Sequence, residues 1–386
     1  MDIQELLTRG VEKIFPSHKA AKKMLGSETP LRVYLGIDPT GSELHLGHTV
    51  ALMFLKRLLD TGHQPVLLIG DFTARIGDPT DKESARKQLS SEETKRNMAT
   101  YLKQIEPIIP LDRVEVRYNS EWFDGMPIQQ FEEIKSLVTV QQLLAREMFQ
   151  KRIEEGKPIS AQELDYPIFQ GYDTVALNAD GEVGGNDQTF NMLVGRDMIK
   201  RMKNRDKIVI ALKLLADPVT GKKMSKTEGT YVALTDQPND MYGKIMAFPD
   251  GMIMPAFEMI TDLPMDRVED AQKRLASGEN PKTLKEELAA HIVSMYHGID
   301  AAKAAQEEFR NVFTKGETPD AMPEHSGGAL AEVLVDSKLV TSKSEVARLI
   351  KQHGITINNK TVESGLVAVS AGDVIKIGAR RFLKIN

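Results

Sequence analysis

The chain has no cysteine among its 386 residues. That excludes disulfides, thiolate zinc sites and a cysteine nucleophile, and it fits a reducing compartment. No stretch approaches the ~18 uninterrupted apolar residues of a membrane span, so no membrane partner is expected. The opening residues, Met-Asp-Ile-Gln-Glu, lack the basic-then-apolar order of a signal peptide, and a cytoplasmic location is expected. The histidines form no His-Glu-x-x-His or similar cluster, so no protein-held metal is expected. There is no Gly-x-x-x-x-Gly-Lys-Ser/Thr loop and no Gly-x-Gly-x-x-Gly fingerprint after a strand, which weakens generic P-loop and dehydrogenase readings. Internal repeats and low-complexity tracts are also missing.

What is present is a chain long enough for a full core and two or three domains, 41% hydrophobic and 27% charged. Net charge is −5, unevenly spread: residues 329–386 carry nine Lys/Arg against five Asp/Glu, a basic module on an acidic body. Apolar runs suited to buried parallel strands fall at Arg32–Asp38, Pro65–Asp71, Arg113–Tyr118 and Lys207–Leu215. Amphipathic stretches such as Thr49–Thr61 and Ser91–Glu106 separate them, so an α/β sheet covered on both faces is expected. Residues 126–156 read as helical, with Val138, Leu143, Leu144 and Met148 at near-helical spacing. They are either an insertion that packs on a partner subunit or ordinary core.

From about 238 to 313 the strand pattern stops and Met241–Met246, Met265–Ala276, Pro281–Tyr296 and Ala301–Phe313 read as helices. Lys315–Gly328 holds two prolines and three glycines and reads as a linker. Beyond it, Ser342-Lys-Ser-Glu345 forms a capping box for a helix to His353, stopped by Gly354. Short strands are expected at Ile355–Ile357, Asp373–Ile377 and Arg381–Ile385, around an Asn358-Asn359 turn.

Two motifs carry chemistry. Tyr34-Leu-Gly-Ile-Asp-Pro-Thr-Gly41 follows a strand, turns, and runs into a helix near His45-Leu-Gly-His48. A helix N-terminus favours phosphate, and His45 and His48, at i and i+3, share a helix face. Their N–H groups can donate to oxygens that gain charge when an α-phosphate is attacked. Thr40 can add a donor, and Gly47 leaves room for a flat base. Some 175 residues on, Lys222-Lys-Met-Ser-Lys-Thr227 lies between Gly221 and Gly229. Lys223 and Lys226 can neutralise a departing pyrophosphate, with Thr227 donating to it. Alone, each motif is more often a pair of ordinary histidines or a solvated basic turn; together they point to nucleoside triphosphate chemistry.

With these motifs the chain resembles the class I aminoacyl-tRNA synthetases, and within them the bacterial-type tyrosyl-tRNA synthetase family, over essentially its whole length. The family's HIGH and KMSKS motifs correspond to His45-Leu-Gly-His48 and Lys223-Met-Ser-Lys-Thr227. Leu46 and Thr227 are the departures. The resemblance implies a Rossmann-like doubly wound parallel-sheet catalytic domain at 1–234, with a helical insertion at about 120–160 and the mobile motif at 221–229. It further implies an all-α anticodon-recognition domain at 235–314, a linker at 315–328 and a small α+β S4-like RNA-binding domain at 329–386.

The resemblance also assigns residues. Tyr34 and Asp173 would bracket the substrate phenol, Tyr166, Gln170 and Asp78 would hold its ammonium group, and Gln188 would steer its carboxylate. In Gly184-Gly-Asn-Asp-Gln188, Gly185 would allow close approach and Asp187 would bind ribose; Gly36, Asp38, Gly47 and Lys226 complete the ATP set. Asn186 stands where the family usually has Ser or Thr. The implied activity is tyrosine–tRNA ligation, with ATP as substrate, Mg²⁺ accompanying it, and L-tyrosine and tRNA(Tyr) as partners of a homodimer. Arg348, Lys351, Arg380 and Arg381 are the expected tRNA contacts. A nucleotidylyltransferase using the same His-x-x-His chemistry and a non-catalytic RNA-binding homologue are the alternatives. The appendages with Tyr34 and Asp173 speak against the first, the intact motifs against the second.

Overall fold

A computed structural model describes the chain except residues 1, 81–88, 219, 222–223, 225–230, 315–321 and 379–380, and the side chains of 313–314. Two compact units result, one of residues 1–237 with 244–299, the other of 238–243 with 300–386.

The first unit is built on a six-stranded sheet. Its strands are β1 (Val11–Phe15), β2 (Arg32–Ile37), β3 (Gln64–Ile69), β4 (Glu115–Tyr118), β5 (Gly181–Gly185) and β6 (Ile208–Leu212), in the order β1-β6-β5-β2-β3-β4. All neighbours run parallel except β1, which pairs antiparallel with β6 at the edge. β3 and β6 are almost wholly buried, the mark of a parallel sheet covered on both faces. After β2 the chain moves to one side through β3 and β4, then returns to the other side through β5. The order therefore reverses between β2 and β5, where doubly wound sheets open a crevice at their carboxyl ends.

Helices close the faces. Leu46–Asp60 buries Leu52, Phe54, Leu55 and Leu58, while Ala161–Ala176 and Thr189–Lys203 pack closely on one another. A Cβ at Gly171 would stand 2.9 Å from both Met198 Sδ and Val194 Cγ1, so glycine sets that approach. Helix Ile253–Ile260 packs on Leu46–Asp60, and Arg57 Nη2 caps it by donating to the carbonyls of Glu258 and Thr261.

Several expected elements differ in detail. Ser91–Glu106 is two helices, Ser91–Met98 and Tyr101–Ile105. The break lets Asn97, Thr100, Tyr101 and Gln104 donate to carbonyls of Pro39, Ser42, Gly41 and Ser42, pinning the loop ahead of His45. Residues 126–156 fold as three short helices, Ile128–Lys135, Val140–Leu144 and Glu147–Glu154. Ile134 and Leu143 join the core of Ile168, Val194 and Met198.

In the second unit a five-stranded sheet orders Lys360–Thr361, Ile355–Ile357, Val374–Ile377, Arg381–Ile385 and Glu324–His325. Helices Leu330–Asp336 and Lys343–Lys351 bury Leu334, Val346 and Ile350 against Ile355, Ile375 and Leu383. The Ser342 cap is half a capping box: its hydroxyl accepts from Glu345 N, but the Glu345 carboxylate turns to Thr341. The left-handed residue ending that helix is His353, not Gly354. Asn358 and Asn359 both take positive φ, the geometry of a tight hairpin turn.

Candidate active site

One cavity of about 390 Å³ opens at the reversal between β2 and β5. Its lining includes Gly36, Asp38 and Thr40 from the end of β2 and the loop after it. Gly185, Asp187 and Gln188 come from the end of β5, and His45, Gly47 and His48 from the start of the Leu46–Asp60 helix. Tyr34 on β2, Asp78 after β3, and Tyr166, Gln170 and Asp173 on one face of Ala161–Ala176 line it as well. These residues were named from the sequence, and the fold brings them to one place. Lys223, Lys226 and Thr227 lie outside the described residues, as does Arg380.

The two histidines are tied together by the helix start. His45 is the N-cap, and its Nδ1 accepts from Gly47 N at 3.0 Å. His48 Nδ1 accepts from His45 N at 3.1 Å. Because Nδ1 is the acceptor in each, the proton of each neutral ring sits on Nε2, available to donate. Burial, and then the charge of His45, lower the His48 pKa to about 3, so His48 is neutral at pH 7. Gly47 is required by this cap: a Cβ there would stand 2.7 Å from His45 Cε1. At Gly36, by contrast, a Cβ would meet nothing within 4 Å, so a side chain there would enter the cavity.

The segment after the lysine motif returns to the first motif. His45 and Ala233 form an antiparallel bridge, with Leu46 N donating to Val232 O at 3.0 Å and Leu234 N to Leu44 O at 2.9 Å. The Tyr231 ring lies edge-on to His45 at 5.3 Å. Met224, inside the motif itself, lines the cavity, and its N–H donates to Leu215 O.

The other end of the cavity is a buried polar frame. Asp173, 3% exposed, accepts from Trp122 Nε1 at 2.9 Å and Asn119 Nδ2 at 3.4 Å. Burial pushes its pKa well above the usual carboxylate range, while the Trp122 and Asn119 hydrogen bonds work in the opposite direction. Asn119 Nδ2 also donates to Thr73 Oγ1, which donates to Asp38 Oδ1 at 2.7 Å; Tyr166 donates to Asp38 Oδ2 at 2.8 Å. Gln188 Nε2 donates to Asp78 Oδ2 at 2.8 Å. Tyr34 is fully buried, and burial keeps its hydroxyl protonated.

Sequence reasoning passed over Gly70, Thr73, Asn119, Trp122 and Glu182. A Cβ at Gly70 would fall 1.9 Å from Asp38 Oδ1, so glycine there makes room for the Asp38 carboxylate. Position at the carboxyl end of a parallel strand was the usable signal for Asn119 and Gly70, which follow β4 and β3. No metal-binding cluster occurs among the described residues. Arg348 and Lys351 are exposed on one helix, whereas the Arg381 guanidinium donates to the Leu339 carbonyl.

Fold and site together define a doubly wound α/β protein with a polar crevice at its switch point. Residues 26–314 match the family model described as tRNA synthetases class I (W and Y), and the chain belongs to that family. It is 39% identical to a tyrosine–tRNA ligase of Dehalococcoides mccartyi, covering 99% of this chain and 98% of that one. A tyrosine–tRNA ligase of Oleidesulfovibrio alaskensis is 41% identical over 96% and 95% of the two chains. Among solved structures, a C-terminally truncated mitochondrial tyrosyl-tRNA synthetase of Aspergillus nidulans aligns with a TM-score of 0.68 at 23% identity. It covers 80% of this chain and 93% of that one. A tyrosyl-tRNA synthetase from Archaeoglobus fulgidus, complexed with L-tyrosine, aligns at 0.61 and 20% identity, over 79% of this chain and 100% of that one. At those identities the structural likeness speaks to the fold.

Proposed function

We propose that the chain is a tyrosine–tRNA ligase that activates L-tyrosine with ATP and passes it to the 3′ end of tRNA(Tyr). The observation that carries this reading is a single cavity with the His45–His48 pair among its walls and Tyr34 with Asp173 in its buried frame. The tyrosine carboxylate attacks the ATP α-phosphorus, the bond to the bridging oxygen breaks, and pyrophosphate leaves. The carboxylate is already ionised at pH 7, so no general base is needed. Catalysis then comes from positioning and charge stabilisation. His45 and His48 donate from Nε2, Thr40 adds a hydroxyl, and Lys223 and Lys226 meet the departing phosphates, with Thr227 donating beside them. The terminal ribose hydroxyl of tRNA next attacks the acyl carbon, and AMP leaves.

Asp173 accepts from the substrate phenol, and Tyr34 approaches the same oxygen. Phenylalanine would cost each of these buried groups the hydrogen bond that the substrate phenol supplies, which disfavours it. Tyr166, Gln170 and Asp78 surround the ammonium group, and Gln188 the carboxylate. Gly36, Asp38, Gly47, Gly185 and Asp187 receive the adenosine moiety. Mg²⁺ would accompany ATP as part of the substrate and offset phosphate charge.

By role, 1–234 activates tyrosine, 235–314 recognises the anticodon, and 329–386, joined through the linker 315–328, contacts tRNA through Arg348, Lys351, Arg380 and Arg381. The enzyme acts as a homodimer in the cytoplasm. An apolar groove of about 280 Å³, lined by Leu137, Val138, Ala145, Phe190 and Leu193, supports a partner surface on the insertion. No described helix is long and apolar enough to cross a membrane. The test is incubation with tyrosine and ATP in the absence of tRNA. Isolation of protein-bound tyrosyl-adenylate with stoichiometric pyrophosphate is expected; pyrophosphate release without bound adenylate contradicts the reading.

A further inference from the structure

Two charged groups at the back of the cavity have no part in the chemistry above. Lys207, immediately before β6, is 0% exposed, and Glu182, on β5, is 2% exposed. Their side chains form an ion pair. A buried pair of this kind gains little for stability over well-packed apolar groups, so its presence asks for another reason. Lys207 Nζ also donates to Thr174 Oγ1 at 2.6 Å, and Thr174 Oγ1 lies 2.9 Å from the Tyr34 hydroxyl. Nζ stands 5.5 Å from the centre of the Tyr34 ring. On the other side, Gln170 Nε2 donates to Glu182 Oε1 at 3.0 Å. Room for the junction comes from Gly195, where a Cβ would lie 2.4 Å from Thr174 Oγ1 and 2.8 Å from Lys207 Nζ.

These contacts have a direction. An ammonium group only donates, so Thr174 Oγ1 accepts from Lys207, and its own proton can turn to the Tyr34 oxygen. The Tyr34 proton is then left to donate onward, and within the protein it has the Gln170 carbonyl, at a long 3.5 Å, and the Glu182 carboxylate as acceptors. A substrate oxygen in the cavity competes with these as a further acceptor. A carboxylate only accepts, so Glu182 takes the amide N–H of Gln170 and leaves the amide oxygen as the acceptor facing elsewhere. We propose that the buried Glu182–Lys207 pair, acting through Thr174, positions Tyr34 as a hydrogen-bond donor and Gln170 as an acceptor, and so sets the preference for a phenol over a phenyl side chain. This rests on the tyrosine-activating reading. Glu182, Lys207 and Thr174 are positioning residues.

The test compares Thr174→Val, Thr174→Ser and the double variant Glu182→Gln/Lys207→Met, which replaces the pair by neutral groups of similar volume. Tyrosine- and phenylalanine-dependent ATP–pyrophosphate exchange is measured for each, with thermal unfolding as a check on folding. Thr174→Val is expected to lower the tyrosine-to-phenylalanine ratio of kcat/KM about tenfold, mainly through the tyrosine KM. Thr174→Ser restores the ratio, and the double variant lowers it at least as far as Thr174→Val. A purely structural role would lower both substrates together and leave the ratio alone; that result, in either folded variant, overturns the proposal. Wild-type protein with no tyrosine-dependent exchange would instead overturn the functional reading beneath it.

Discussion

His45 and Ala233 face one another in an antiparallel bridge, although 187 positions separate them in the chain. The bridge joins the start of the histidine helix to the segment that leaves the lysine motif. With Met224 in the cavity wall, it brings the described residues within and just after the lysine motif beside the start of the histidine helix. The account's chemistry depends on that convergence, because neither motif alone can both bind a triphosphate and neutralise its leaving group.

If His48 acts as proposed, His48→Ala removes an Nε2 donor from the transition state but not from the tyrosine pocket. Stopped-flow measurement of tyrosine activation should show the rate constant falling at least about tenfold, with tyrosine affinity nearly unchanged. An unchanged rate would remove His48 from the mechanism.

The same side chain predicts a pH dependence of stability. Its folded-state pKa of about 3 lies below the ordinary 6.5, so between those values the unfolded chain binds more protons. Its contribution is fully present above pH 6.5 and is lost as pH falls towards 3. Denaturant unfolding of His48→Asn between pH 6.5 and 4 should show a slope shallower than wild type by up to ~1.4 kcal/mol per pH unit. Parallel slopes would contradict neutral burial of the ring.

Trp122→Phe keeps an aromatic side chain beside Phe123 but deletes the N–H that Asp173 accepts. A freer carboxylate should raise the tyrosine KM about tenfold and weaken rejection of phenylalanine, with kcat little changed. Steady-state exchange with both amino acids checks it. Equal effects on both would mean that Trp122 acts only by packing.

Much of this site can be read in the chain because short segments carry it. Tyr34 through His48 and Tyr166 through Asp173 each lie on one strand–turn–helix or one helix face, where spacing fixes neighbours. What escaped reading has a physical cause. β5 is Gly-Glu-Val-Gly-Gly, with a single β-branched residue to mark it, and β1 is a short antiparallel edge strand. Thr73, Asn119 and Trp122 matter only because the order β2-β3-β4 brings their strand ends beside Asp38 and Asp173. The helix expected to reach His353 ends at Lys351, because the chain enters the left-handed region at His353 itself and not at Gly354.

Arg348→Ala/Lys351→Ala alters only exposed cations of the second unit, so tyrosyl-adenylate formation should stay at the wild-type rate. The KM for tRNA(Tyr) in charging should rise, and the salt dependence of tRNA binding should fall by about one to two in log–log slope. Filter binding across a salt series reads this directly. Wild-type charging and salt slope would exclude these residues from the tRNA contact.

The central claim is a triphosphate site joined to a cavity selective for a phenol. ATP–pyrophosphate exchange with each of the twenty amino acids in turn measures it most directly. The account predicts rapid exchange with tyrosine and only trace exchange with the other nineteen. Exchange supported equally by phenylalanine or tryptophan, or driven by an amino acid without an aromatic ring, would contradict it.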